Sequence, residues 1–101
     1  MYARLVMFTT GPGKRAVAEK IADQFLGTMQ GLKGFKGSTF IVDEAVGEYG
    51  ALSLWESEEA LEAALETLTP GLQQALEEIV QGPPIRRTFE VYEPVPAASA
   101  G

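Results

Sequence analysis

Few residues in this chain can do chemistry, and each has a plain structural alternative. Arg4 is a lone cation in the apolar opening stretch Tyr2-Ala3-Arg4-Leu5-Val6-Met7-Phe8. A buried guanidinium without a counter-charge is costly, so Arg4 must meet a carboxylate or reach water or a ligand. Glu90, near the C-terminal end, is the expected carboxylate. The alternative is a pocket-lining Arg4 whose forked donors hold an anionic oxygen. Tyr2 and Tyr49 could each donate a phenolic hydrogen bond to a ligand carbonyl, although tyrosine more often packs its ring and wets its hydroxyl. Trp55, the only tryptophan, either anchors sheet to helix or forms a wall on which a flat ligand stacks. Phe8, Phe25, Met29 and Phe40 read first as core, but a flexible, Met-containing apolar wall also admits a flat ligand.

The missing residue types narrow the chemistry further. The 101 residues include no His and no Cys, and Asn is absent as well. No imidazole base, thiolate nucleophile, disulfide, zinc finger or histidine-ligated haem is available. Ser38 and Ser53 have no base to activate them. Glu58, Glu59, Glu62 and Glu66 recur along one segment and read as a solvated helix face. Gly11-Pro12-Gly13-Lys14-Arg15 precedes a helix but lacks phosphate-loop spacing, so it reads as a turn. No metal, flavin or nicotinamide site is visible. A net charge of −6 and the lack of any basic stripe argue against a nucleic-acid partner. No apolar run is long enough to span a bilayer. The first eight residues lack the basic start and cleavage site of a signal peptide, so a cytoplasmic location is the expectation. Depletion of Asn and Cys would suit a thermophilic source.

The elements that must position these residues follow from periodicity. Tyr2 to Thr9 alternates as a strand that is apolar on both faces. Val17, Ala18, Ile21, Phe25 and Met29 repeat at helical spacing from Lys14 to about Gln30, and Gly31 and Gly34 mark the exit. Phe35 to Asp43 and Tyr49 to Glu56 read as two further strands. The alternation places Tyr49, Ala51, Ser53 and Trp55 on one face and Leu52 and Leu54 on the other. Ser57 is a good N-cap, followed by Glu58 and Glu59 in the first helical turn. Leu61, Ala64, Leu65 and Leu68 form the stripe of the second helix. Thr69-Pro70 is expected to end it and start a fresh helix carrying Leu72, Ala75, Leu76, Ile79 and Val80. Arg86 to Tyr92 is the last strand. Residues 1–93 form one domain, and the small-residue tail 94–101 is expected to be disordered.

The resulting order is β-α-β-β-α-β, an α+β, ferredoxin-like arrangement with a four-stranded antiparallel sheet and both helices on one face. The helix-free face still carries apolar side chains and needs cover. A second copy of the chain is the simplest one, so a homodimer is expected.

Several segments carry a family resemblance. Pro12-Gly13-Lys14, Gly34-Phe35-Lys36-Gly37, the run Leu54-Trp55-Glu56-Ser57-Glu58-Glu59-Ala60-Leu61 and the closing Tyr92-Glu93-Pro94 resemble the antibiotic biosynthesis monooxygenase (ABM) domain over roughly Met1 to Pro94. The resemblance implies a dimeric α+β barrel with a pocket between sheet and helices in each subunit. It also implies either a cofactor-free oxygenase of quinol-like aromatics, a haem-degrading enzyme, or one of the many members without known activity. Trp55 matches the tryptophan that haem-degrading members press on a ruffled haem. Their axial histidine would fall after Thr69-Pro70 and their pocket asparagine near Val6, and this chain has neither. What the resemblance leaves is a cofactor-independent monooxygenase acting with O₂ on a small electron-rich aromatic such as a quinol or anthrone. Arg4, Tyr2 and Trp55 are then the catalytic candidates, with Tyr49, Phe8, Phe25 and Met29 binding substrate. The competing expectations are a non-catalytic homodimer that binds a hydrophobic small molecule and, third, haem binding or degradation without the usual ligand.

Overall fold

The computed structural model describes residues 1–95; of the tail expected to be disordered, residues 96–101 lie outside the described part. The element order is β1 (Tyr2–Thr9), α1 (Arg15–Gln30), β2 (Phe35–Asp43), β3 (Glu48–Trp55), α2 (Glu58–Glu77) and β4 (Ile85–Glu90). The strands form one antiparallel sheet in the order β2-β3-β1-β4. This is the ferredoxin-like β-α-β-β-α-β arrangement read from the sequence, with β1 and β3 as inner strands.

Register divides the side chains between two faces. Tyr2, Arg4, Val6 and Phe8 lie opposite Trp55, Ser53, Ala51 and Tyr49 of β3. These positions share the face that the helices cover, because a strand's side chains alternate with a period of two. Leu5 lies opposite Leu52 and Arg87, and Met7 opposite Gly50 and Ile85, on the helix-free face. There Ile41, Leu52, Ile85 and Phe89 stay 37–54% exposed.

The helix-side core is concentrated at one end. Met29, Trp55, Leu61 and Ala64 form the buried cluster, with Tyr2, Leu32, Phe35, Leu65 and Leu68 packed against it. Ser57 caps α2 by accepting from the Ala60 N–H at 3.1 Å, as its type and the following acidic pair predict. The turn before β2 is held by Gly34. Its φ of +84° suits glycine, and an added Cβ would fall 2.5 Å from that of Ala60. The expected left-handed exit therefore sits at Gly34, whereas Gly31 caps α1 in the right-handed region at φ −90°.

Three local expectations are corrected. Thr69-Pro70 does not break α2, which runs unbroken through Pro70. Leu61, Leu65, Leu68, Leu72 and Leu76 keep one helical register across the proline, so a break would sacrifice burial of one half. Pro70 removes the donor for the Glu66 carbonyl, but both residues are exposed, and water can take that acceptor. The last strand ends at Glu90 rather than Tyr92. Val17 of α1 stays exposed, since Ala18 is the residue turned inward.

Candidate active site

A cavity of about 520 Å³ opens between the helix-covered sheet face and both helices, reached by all six elements. Its origin is legible in side-chain size. The middle of the sheet presents Val6, Ala51 and Ser53, and α1 presents Ala18 and Ala22 opposite them. These small residues cannot fill the space that the Trp55 cluster fills at the other end. The walls are apolar and aromatic, with Phe8, Phe25, Phe40 and Met29 among them. A largely apolar cleft holding a few polar groups is the usual character of a small-molecule site.

Arg4 is the charge that β1 places in this wall. Its β4 neighbour is Thr88, and Glu90 lies opposite Tyr2 instead. The expected Arg4–Glu90 ion pair is therefore absent. Because the pairing runs Tyr2↔Glu90 and Arg4↔Thr88, the carboxylate is one same-face position too far along. Arg4 Nη1 donates to Thr88 Oγ1 at 3.1 Å, while its Nε is buried with no acceptor. Burial, and secondarily the nearby Arg86 charge, holds the Arg4 guanidinium below its ordinary pKa. Among the described residues the ion pairs belong to Arg15, with Glu19 at 3.1 Å and Glu44 at 3.0 Å. Those pairs, led by the Glu19 hydrogen bond, push the Arg15 pKa up. Arg4 thus keeps donors and charge uncommitted at a cavity wall, as an anion-holding group requires.

Tyr49 stacks obliquely on Phe8, with ring centroids 5.8 Å apart. Its hydroxyl is buried without a hydrogen-bond partner. An unsatisfied buried hydroxyl costs about 1–3 kcal/mol, which a ligand oxygen or a water would recover. Trp55 is 1% exposed and is one of the residues lining the cavity. Its indole Nε1 donates to Ser53 Oγ at 2.9 Å, and its ring meets Phe35 edge-on at 5.2 Å. Its N–H is therefore spent inside the protein, and only ring surface is left to face a ligand.

The structure gathers Arg4, Tyr49, Phe8, Phe25, Met29 and Trp55 around one cavity and leaves Tyr2 outside it. Tyr2 packs on the core cluster. Its phenol pKa is raised, first by the Glu58 charge, with burial and Glu90 adding to it. The residue missed by sequence reasoning is Arg86, which lines the same cavity from β4. The alternation of Arg86, Thr88 and Glu90 along the last strand would have marked all three as facing the helices. No cluster of three or more metal-ligating side chains occurs among the described residues, and no described helix is long and apolar enough to cross a membrane.

Solved structures share this architecture. A point mutant of SnoaB, a cofactor-independent oxygenase from Streptomyces nogalater, superposes with a TM-score of 0.77 at 16% identity, covering 94% of this chain and 96% of that one. A monooxygenase from the gene ActVA-Orf6 of Streptomyces coelicolor, in complex with nanaomycin D, gives 0.76 at 19% identity, covering 93% and 89%. A protein described as a candidate antibiotic biosynthesis monooxygenase from Caulobacter crescentus gives 0.78 at 19% identity, covering 91% and 90%. The fold is that of the antibiotic biosynthesis monooxygenases. No protein-family model matches the sequence, and no curated protein matches it. The ABM fold is therefore what the likeness establishes, and it agrees with the architecture expected from the Trp55-Glu56-Ser57 run. In this chain the space between ABM sheet and helices is open, and Arg4 and Arg86 line it without an ion pair to a protein carboxylate.

Proposed function

We propose that this protein is a cofactor-independent monooxygenase that oxidises a small, electron-rich aromatic of the quinol or anthrone type with O₂. The observation that carries the reading is Arg4, a half-buried cation without a carboxylate in the wall of an apolar, aromatic cavity. Such a substrate supplies its own electrons once it gives up a proton to water, from the ring CH₂ of an anthrone or a hydroxyl of a quinol, and becomes an enolate or quinolate. The Arg4 guanidinium stabilises that anion, and the phenol of Tyr49 donates to a substrate oxygen. The enolate passes one electron to O₂, the radical pair combines into a C–O bond, and the hydroperoxide loses water to leave a ketone. For an anthrone, or a quinol counted as its keto tautomer, the balance is one CH₂ plus O₂ giving one C=O plus H₂O. The protein orients the ring against Phe8, Phe25, Met29 and Trp55 and excludes water. The cofactor-independent oxygenase SnoaB, of like fold, supports this reading.

The helix-free sheet face belongs to the same proposal. Ile41, Leu52, Ile85 and Phe89 remain exposed there, and a second copy covering them would bury about 800 Å² per partner if the interface is of ordinary size. The second reading, a non-catalytic dimer that binds a hydrophobic small molecule, is favoured by the absence of any imidazole or thiol to move a proton near neutrality. Oxygen uptake with a panel of anthrones and hydroquinones separates the two. Turnover abolished by Arg4→Ala supports the oxygenase, and tight binding without oxygen consumption supports the binder.

A further inference from the structure

Three arginines line the cavity; Arg15 is held by Glu19 and Glu44, and of the other two the reading above uses only Arg4. Arg86 of β4 lies opposite Val6, on the same sheet face as Arg4 and diagonal to it. Diagonal same-face positions of an antiparallel pair lie within reach of long side chains. The Arg86 charge is felt at the Arg4 guanidinium. No carboxylate offsets the two: the ion pairs among the described residues belong to Arg15. The acidic residues of the lining are Glu19, which is held by Arg15, and Glu77, which makes no ion pair with Arg4 or Arg86; Glu90 lies opposite Tyr2. Like charges on neighbouring positions of one sheet face oppose folding. Two uncompensated guanidiniums beside an apolar cavity are relieved by an anion that enters it.

We propose that Arg4 and Arg86 form an anion subsite and that the cavity takes an aromatic acid, a flat ring system bearing a carboxylate that is ionised before any reaction. The proposal rests on this cavity being the substrate site and adds charge to the substrate class. A guanidinium presents paired N–H donors that match the two oxygens of a carboxylate. Thr88 Oγ1 accepts from Arg4 Nη1 at 3.1 Å and so fixes the direction of that fork. The remaining walls are largely apolar and aromatic, which favours a two-oxygen anion on an aromatic body over a phosphate ester needing donors on three oxygens.

Calorimetric titration with 2-naphthoate and its uncharged isostere 2-naphthamide tests this directly. The wild type binds the carboxylate at least about tenfold more tightly. Arg86→Met, on an exposed edge strand, loses about tenfold to a hundredfold in naphthoate affinity, the scale of one charge-assisted hydrogen bond or two. Its affinity for naphthamide is unchanged, and a thermal melt checks that the variant is folded. Equal binding of the two ligands by the wild type, or a preference that survives Arg86→Met and Arg4→Met, overturns the subsite. Failure here is distinct from failure of the oxygenase reading. A neutral quinol oxidised without any preference for charge removes the subsite and leaves the oxygenase. Arginine-dependent naphthoate binding without oxygen uptake from any quinol does the reverse.

Discussion

Arg4 hydrogen-bonds Thr88, its cross-strand neighbour on β4, through Nη1 and Oγ1 at 3.1 Å. The bond orients the guanidinium without neutralising it. Arg4 is therefore held in place as a cation with work left for its charge, which distinguishes it from Arg15 with its two carboxylates.

Arg4→Met should separate stability from function. With no carboxylate to orphan, the variant should unfold in urea within about 1 kcal/mol of wild type, because removing an unpaired, half-buried charge costs little. The oxidation of a quinol or anthrone should fall about a hundredfold in kcat/KM, the usual loss for an anion-stabilising donor. A large stability loss would instead indicate a structural role.

Trp55 should behave mainly as core. Trp55→Ala should cost about 3–5 kcal/mol in denaturant unfolding, as expected for emptying a fully buried aromatic site. Trp55→Phe should cost about 1–2 kcal/mol, since it keeps most of the ring packing and loses the bond to Ser53. Ligand affinity that collapses in Trp55→Phe while stability holds would show the indole itself to be a binding group.

Leu52→Glu places a charge on the helix-free face, where Leu52 is 38% exposed. Sedimentation should show the wild type as a dimer at micromolar concentration and the variant as a monomer with unchanged secondary structure. A monomeric wild type would remove the dimer from the proposal.

Tyr2 should titrate late. Its folded pKa is raised above 10.0, chiefly by the Glu58 charge, so the folded state holds the phenolic proton more tightly than the unfolded chain. That contribution to stability is present below the unfolded pKa and is lost as pH rises through the folded one. Following phenolate absorbance, Glu58→Gln should move the Tyr2 titration back toward its ordinary value.

How much of this was legible beforehand depended on the range of the interactions. The β1 bounds, the β3 faces and the Ser57 cap follow from alternation and capping, which are local signals, and they match the structure. Cross-strand register is not local. Placing Glu90 beside Arg4 required knowing the β1–β4 offset, and one same-face step exchanged a carboxylate for Thr88. Pro70 misled because the proline signal is local, whereas the leucine register that carries α2 through it spans the whole helix. The cavity itself arises from small residues on separate elements, Ala18 and Ala22 against Ala51 and Ser53, so no single segment announces it. Tyr2 sits on the correct face, yet at the end filled by the Trp55 cluster, a distinction that alternation cannot make.

The most direct measurement is the origin of the new oxygen atom. Wild-type protein, an anthrone and isotopically labelled O₂ in ordinary water containing a chelator should yield a quinone with one labelled oxygen, at a rate that Arg4→Met lowers about a hundredfold. Product labelled from water instead, or formation no faster than without protein, would contradict a cofactor-independent oxygenase built around Arg4.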